Sequence, residues 1–285
     1  MGAAILDGAA IAAAVRAELA EEVASLAQVG VVPGLGTILV GDNPSSAAYV
    51  RLKHQDCEEI GIRSLGEHLP EDTTEERLHE VIASFNANPE IDAFLVQLPL
   101  PKGLDELGAL LAVDPEKDVD GLHPVNLGRL VMGNLGPVSC TPAGIVELLV
   151  RHGIQIEGTH VVIIGRGLTI GRPLANLLAL KREHANAAVT VVHTGVKDLA
   201  SYTRQADILV AAAGSPGLVK PDMVKPGAAV VGAGVTMDGR KIVSDVEESV
   251  AEVAGWITPR VGGVGPMTRA MLLRNTVLAA SKRRS

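Results

Sequence analysis

Aromatic side chains are almost missing from this chain: one tryptophan, two tyrosines and two phenylalanines stand among 285 residues. Surfaces that bind single-stranded nucleic acid stack bases on exposed rings, so the composition argues against that class. Basic runs are missing as well. The net charge is −8 with His neutral, and only Lys282 to Arg284 form a basic end, which reads as a solvated tail. Cysteine is scarce: Cys57 and Cys140 lie far apart and form no C-x-x-C pair. Neither a disulfide framework nor a zinc knuckle is expected from them, no metal is expected, and a reducing setting fits best. No stretch approaches the roughly 18 uninterrupted apolar residues of a membrane span, and no leader pattern of basic, apolar and small residues opens the chain. The expectation is a soluble, cytoplasmic protein with neither nucleic acid nor membrane as partner.

Apolar residues make up 47% of the chain and glycine is plentiful, so a well-packed protein is expected, with a length that suits two domains. Residues 7–28 carry apolar residues at helical spacing behind Asp7 as a cap. GLGTILVGD is a buried strand, residues 45–60 a helix opening at Ser45 and Ser46, and SLGEHLP a second strand. TTEERLHEVIASFNAN is a helix capped by Thr73 or Thr74, and IDAFLVQLPLP is a strand that must stop at Pro99. This β-α-β-α-β order builds a parallel sheet with right-handed crossovers. Residues 112–140, rich in Asp, Gly, Pro and Asn, read as a long functional loop and interdomain passage. A helix starts at Thr141–Pro142. HVVIIG, AVTVVH, ADILVAAAG and AAVVGAGV then give four strands of a doubly wound sheet, with helices at 170–183 and near 197–205. A glycine-rich turn, GGVGPMT, feeds a long amphipathic last helix.

The stretch VVIIGRGLTIGRP, residues 161–173, carries the first chemical signal. A β-branched strand runs into Gly165, with Gly167 and Gly171 following in a G-x-G-x-x-x-G spacing. Glycines there let the backbone turn sharply and admit a phosphate group at a helix N-terminus. The next strand ends in His193–Thr194, with no carboxylate before Asp198, while Arg166 sits inside the loop and Arg172 just after it. A guanidinium and a hydroxyl suit a ribose 2′-phosphate, which a carboxylate would repel. NADP is therefore favoured over NAD.

The first half offers three polar features. Tyr49 and Lys53 are i and i+4 on one helix face, Gln97 stands at the end of an apolar strand, and Asp118 and Asp120 precede Gly121 in a loop. Each alone has a bland explanation: packing with a snorkelling amine, a satisfied amide, a turn cap. Gln97, however, lies at the carboxyl end of a parallel strand, where open α/β sheets place ligands.

At these residues the chain resembles the bifunctional methylenetetrahydrofolate dehydrogenase/methenyltetrahydrofolate cyclohydrolase family. SSAAYVRLKHQDCEEIGI, FNANPEIDAFLVQLPLP, DPEKDVDGLHPVNLGRL, CTPAGIVELL, VVIIGRGLTIGRP and GGVGPMT follow the family's order over nearly the whole length. The longer glycine spacing is the family's own version of the turn. The resemblance implies two α/β domains with a folate cleft between them: a substrate domain with a parallel sheet, residues 1–140 plus a returning last helix 267–285, and a Rossmann-like NAD(P)-binding domain, 141–266. It implies NADP as cofactor, tetrahydrofolate derivatives as substrates, a homodimer, and a place in one-carbon metabolism that feeds purine biosynthesis. Lys53 matches the catalytic lysine, Tyr49 the stacking tyrosine, Gln97 the glutamine that holds the lysine, and Asp120 the pterin anchor. Ser46, Gly262, Gly263 and Pro266 match further substrate positions. On the cofactor side Gly165, Arg166, Gly167 and Gly171 match the loop, Thr194 the 2′-phosphate neighbourhood, and Val235 a main-chain contact near the nicotinamide. The chain departs from the family's pattern at Gly167 (commonly serine), Gly232 (commonly aspartate), Val261 (commonly proline) and Arg269 (commonly aliphatic), and KREHANAAV is a few residues longer than usual. Two other readings are an NADP-dependent dehydrogenase of a different small molecule and a non-enzymatic nucleotide-sensing protein.

Overall fold

A computed structural model of the chain describes residues 2–238 and 241–282, so Arg283 and Arg284 of the basic end lie outside the described residues. In chain order the elements are β1 (Ala4–Ile5), α1 (Gly8–Ala27), β2 (Gly34–Val40), α2 (Pro44–Ile60), β3 (Arg63–Leu69), α3 (Glu75–Ala87), β4 (Ala93–Val96), α4 (Glu106–Ala112) and α5 (Pro124–Val131). There follow α6 (Cys140–Arg151), β5 (His160–Ile164), α7 (Gly171–Ala179), β6 (Ala188–Val192), α8 (Leu199–Thr203), β7 (Ile208–Ala211), β8 (Ala229–Gly232), β9 (Val235–Asp238), β10 (Lys241–Ser244), β11 (Trp256–Ile257) and α9 (Val264–Lys282). They form two compact units, Ala14–Cys140 with Arg269–Ser285, and Met1–Ala13 with Thr141–Thr268. The last helix thus returns to the unit that holds the first half of the chain.

In that unit the sheet order is β3-β2-β4, all parallel, and β2 is buried along its whole length because it is flanked on both sides. Ile38, Val40, Leu78, Ile82, Phe94 and Val96 share one core under α3 and α4. Thr74, of the two candidates, caps α3 by accepting from Arg77 N at 3.2 Å. Two expectations are corrected. The helix expected at 45 begins at Pro44, because Asn43 Oδ1 accepts from Ser45 N and Ser46 N at 3.0 and 3.1 Å and outcompetes the serines as cap. The stretch 112–140 is not all loop: Pro124 takes the first turn of α5 and His123 Nδ1 accepts from Val125 N at 3.2 Å.

The other unit carries a six-stranded parallel sheet, order β1-β11-β8-β7-β5-β6. Two of its strands, β1 and β11, are two residues long and too short to show a period, so four strands were legible and two were not. Residues 1–13 group here rather than with the first domain, because Ala4 pairs with Trp256 and Leu6 N donates to Ile257 O at 2.9 Å. The antiparallel pair β9–β10 was not expected either. The helix expected over 170–183 stops at Ala179, and His184 and Asn186 at positive φ turn the longer KREHANAAV segment back into β6. No described helix is long and apolar enough to cross a membrane.

Candidate active site

Ser46, Tyr49 and Lys53 lie three and four residues apart on α2, and Ser46, Val50, Lys53, Asp56 and Cys57 form its buried side. His54 fastens the helix to the sheet: its Nε2 pairs with Thr37 Oγ1 at 3.0 Å and its Nδ1 with Ser64 Oγ. The burial of Lys53, at 4% exposure, is unusual for an amine and demands a partner.

That partner is Gln97. Its N–H donates to Ile38 O at 2.8 Å, extending β4 by one residue at the sheet's carboxyl end. Its Nε2 donates to Leu98 O at 2.7 Å, which orients the amide so that Oε1 accepts from Lys53 Nζ at 3.0 Å. The same Nζ lies 5.0 Å from the centre of the Tyr49 ring. Asp120 arrives by a different route. Phe94 N donates to Lys117 O at 2.8 Å and Val119 N to Phe94 O at 3.3 Å, so residues 117–119 run along the free edge of β4 and deliver Asp120 beyond it. Asp118 is the structural member of the pair: its buried Oδ2 accepts from His123 N at 2.8 Å and Asn126 Nδ2 at 2.9 Å.

Burial pushes the Lys53 amine below its ordinary range, and the Asp120 carboxylate opposes that shift. Burial, helped by Asp120, pushes the Tyr49 phenol up to about 12. Burial likewise raises the Cys57 thiol to about 12 and the Cys140 thiol well above its usual range, so both stay protonated. The amine therefore sits beside a neutral amide, a neutral phenol and two neutral thiols, with Asp120 as the counter-charge. An amine whose pKa is lowered in this way gives up its proton more readily than an exposed lysine does, as a group that takes and returns protons requires.

In the other unit Gly165 ends β5 at φ +116, and a Cβ there would lie 2.1 Å from Ala212 O. A Cβ on Gly171, the first residue of α7, would lie 2.2 Å from Gly165 O. Both positions exclude side chains, while a Cβ on Gly167 would have no neighbour within 4 Å. Ile170, the residue before α7, makes no side-chain cap bond, and this tight turn fits a pyrophosphate. Ile164 pairs with Val192, which brings Arg166 and Thr194 to the ends of adjacent strands; Arg166 Nη1 lies 3.4 Å from His193 Nε2. The Val235 main chain opens β9 opposite Ser244. Gly262 has φ +87 and accepts from Ala9 N at 2.8 Å, and Pro266 stands in the first turn of α9. These three, Gly262, Gly263 and Pro266, belong to the unit of the glycine loop, whereas Ser46, Tyr49, Lys53, Gln97 and Asp120 belong to the other.

Residues 6–120 match the family model described as tetrahydrofolate dehydrogenase/cyclohydrolase, catalytic domain, and residues 139–284 match that of its NAD(P)-binding domain. The chain belongs to this family. A curated relative, the bifunctional protein FolD of Syntrophotalea carbinolica, is 56% identical over 99% of this chain and 98% of its own. The crystal structure of the bifunctional enzyme FolD from Campylobacter jejuni superposes with a TM-score of 0.93 at 45% identity, covering 98% of this chain and 99% of that one. The Trypanosoma brucei FolD structure, complexed with NADP cofactor and inhibitor, gives 0.92 at 41% identity over 100% and 99%.

Of the positions expected to depart from the family's pattern, Gly232 and Arg269 find local explanations. At Gly232 a Cβ would lie 2.8 Å from Ser244 Oγ, so that hydroxyl fills the space of a side chain, and Thr258 Oγ1 accepts from Gly232 N at 2.8 Å. Val261 is exposed and nothing in the structure explains it. Arg269 Nε lies 2.8 Å from Asp56 Oδ2, an ion pair by distance that is not aligned as a hydrogen bond. Sequence reasoning missed Asp56, Asp245, Cys140 and Asn275. Asp245 is wholly buried and its Oδ2 accepts from Ala213 N and Gly214 N at 2.7 and 2.9 Å, shaping the loop after β7. Nothing local in the sequence marks these four, because each acts on a segment distant in the chain.

Proposed function

We propose that this protein oxidises 5,10-methylenetetrahydrofolate to 5,10-methenyltetrahydrofolate with NADP+ and hydrolyses the product to 10-formyltetrahydrofolate. The observation that carries the reading is the buried Lys53 amine held at 3.0 Å by a neutral amide rather than a carboxylate. The unit of Ala14–Cys140 and Arg269–Ser285 serves as the folate-binding catalytic domain. The family resemblance further supports a cytoplasmic homodimer feeding purine biosynthesis.

Gly165, Gly167 and Gly171 would admit the pyrophosphate of NADP, Arg166 and Thr194 would take the 2′-phosphate, and the Val235 main chain would lie near the nicotinamide. Bound NADP+ supplies the hydride acceptor. In the oxidation the folate N5 and N10 stabilise the cation themselves, so the chain's task is orientation. Asp120 accepts from the pterin's exocyclic amine and ring N–H, Tyr49 stacks on the ring, and Ser46, on the same helix as Tyr49, lines the substrate. Hydrolysis asks more. Water adds to the methenyl carbon and loses both protons in turn as the carbonyl forms and the bond to N5 breaks. Lys53 takes a proton from the water and returns one to N5; the other goes to solvent. Gln97 holds the amine without a charge that would lock it as ammonium.

A coupled assay with methylenetetrahydrofolate and each nicotinamide, followed at the reduced-nicotinamide and methenyl absorbances, tests both steps. No folate-dependent nicotinamide reduction would refute the reading. Arg166→Ala is expected to weaken NADP+ by about ten- to a hundredfold, the worth of one charged hydrogen bond, while NAD+ changes little. Equal losses for both nicotinamides would remove the assigned 2′-phosphate role.

A further inference from the structure

We infer that Asn275, on the C-terminal helix, is a positioning residue that sets the direction of Asp120; the inference rests on the reading of Asp120 as the pterin anchor. Asn275 Nδ2 donates to Val119 O at 2.8 Å and to Val138 O at 2.9 Å, and lies 3.6 Å from Cys140 Sγ. Cys140 Sγ donates to the same Val119 carbonyl at 3.3 Å. On its other side Val119 is tied to β4 through its N–H, at 3.3 Å from Phe94 O. The carbonyl of Val119 belongs to the peptide plane it shares with Asp120, and that plane is rigid. Fixing the oxygen therefore fixes the bond along which Asp120 departs.

A second contact closes the arrangement. Gly121 follows Asp120 at φ +66, and a Cβ there would lie 2.5 Å from Ser139 N, so the 138–140 segment runs directly against the turn that Asp120 occupies. By holding Val119 O and Val138 O with one amide nitrogen, Asn275 clamps these two passes together. The thiol of Cys140 is a weak donor and does not replace the amide. The carboxylate whose charge bears on both Lys53 and Tyr49 is thus aimed by a residue 156 positions beyond Val119.

The test is a double-mutant cycle read by calorimetric titration with tetrahydrofolate and, separately, NADP+. Asn275→Leu removes the donors at similar volume. It is expected to weaken tetrahydrofolate about tenfold, the worth of one hydrogen bond, and NADP+ by less than about twofold. In an Asp120→Ala background the same substitution is expected to change tetrahydrofolate affinity by less than about twofold, because its effect runs through that carboxylate. A purely structural asparagine would show the same loss in both backgrounds, or parallel losses for both ligands, and either result overturns the inference. So does unchanged folate affinity in Asn275→Leu. Asp120→Ala alone reports on the underlying assignment: if it leaves folate affinity intact, the pterin-anchor role fails first. Should Asn275→Leu not fold, Asn275→Ser is read in the same cycle with the same criteria.

Discussion

Lys53→Ala is expected to lower methenyl hydrolysis by at least ~10²-fold while nicotinamide reduction by methylenetetrahydrofolate keeps most of its rate, because only hydrolysis needs a proton carrier. The split is the decisive feature. A substitution that merely distorted the folate wall would slow both steps, whereas loss of a proton shuttle slows one. Rates of both reactions in the purified variant, with tetrahydrofolate affinity as a control, distinguish the two cases. Unchanged hydrolysis would dispose of the shuttle. The pH profile adds a sign. Burial lowers the amine's pKa, so the neutral base is lost as pH falls and hydrolysis should decline on the acid side. Gln97→Glu would place a carboxylate where the neutral oxygen now sits, stabilise the ammonium and move that acid limb to higher pH. Stability should change with pH in the same sense as activity. Between its lowered folded pKa and the unfolded 10.5, Lys53 binds fewer protons in the native state, so its presence costs stability that is regained as pH rises. Lys53→Met is expected to raise the melting temperature at neutral pH and to flatten its pH dependence.

Arg269→Leu is expected to cost ~3 kcal/mol at neutral pH, since it strands the Asp56 carboxylate inside the protein. The pair is largely withdrawn from water, at 19% exposure for the Arg269 side chain and 9% for that of Asp56. Burial already raises the Asp56 pKa despite the guanidinium, and without Arg269 it should rise further. A carboxyl with a raised folded pKa favours the fold while protonated and loses that contribution as pH climbs through the folded value. The variant should therefore be weakest at neutral pH and recover toward acid. Asp56→Leu combined with Arg269→Leu is expected to restore most of the loss, as apolar replacement of buried pairs commonly does. Denaturant melts of the single and double variants at two pH values check this. A double variant no more stable than Arg269→Leu would mean that packing, not the stranded charge, sets the cost. The pair matters to function because Asp56 lies one turn beyond Lys53 on α2, and the Arg269 charge counters the rise of the Tyr49 phenol.

How much of this was legible beforehand differs by element. The Gly165 turn, the caps at Thr74 and at Asp7, whose Oδ1 accepts from Ala10 N at 3.0 Å, the central strands and the Lys53–Gln97 partnership follow from local spacing together with the family's motif order. The strands β1 and β11 escaped because two residues carry no period, and α5 was hidden by the polar composition around it. Asn43 displaced the serines at the start of α2 because a cap is decided by which side chain reaches the free amides, and Asn43, Ser45 and Ser46, within four positions, could all have done so.

The residues alone determined the chemistry on offer: a bare glycine turn for a pyrophosphate, a guanidinium where a ribose phosphate fits, and an amine one helical turn from a tyrosine. Local sequence carries such features because caps, turns and helix faces are set by neighbours a few positions away. Tertiary structure decided the rest: that the amine is buried and held by an amide, that Asp118 is spent on hydrogen bonds to His123 and Asn126 while Asp120 stands beyond the edge of β4, and that Asn275 and Arg269 reach back to these segments. Those outcomes depend on burial and on contacts between segments far apart in the chain, which no short-range pattern encodes.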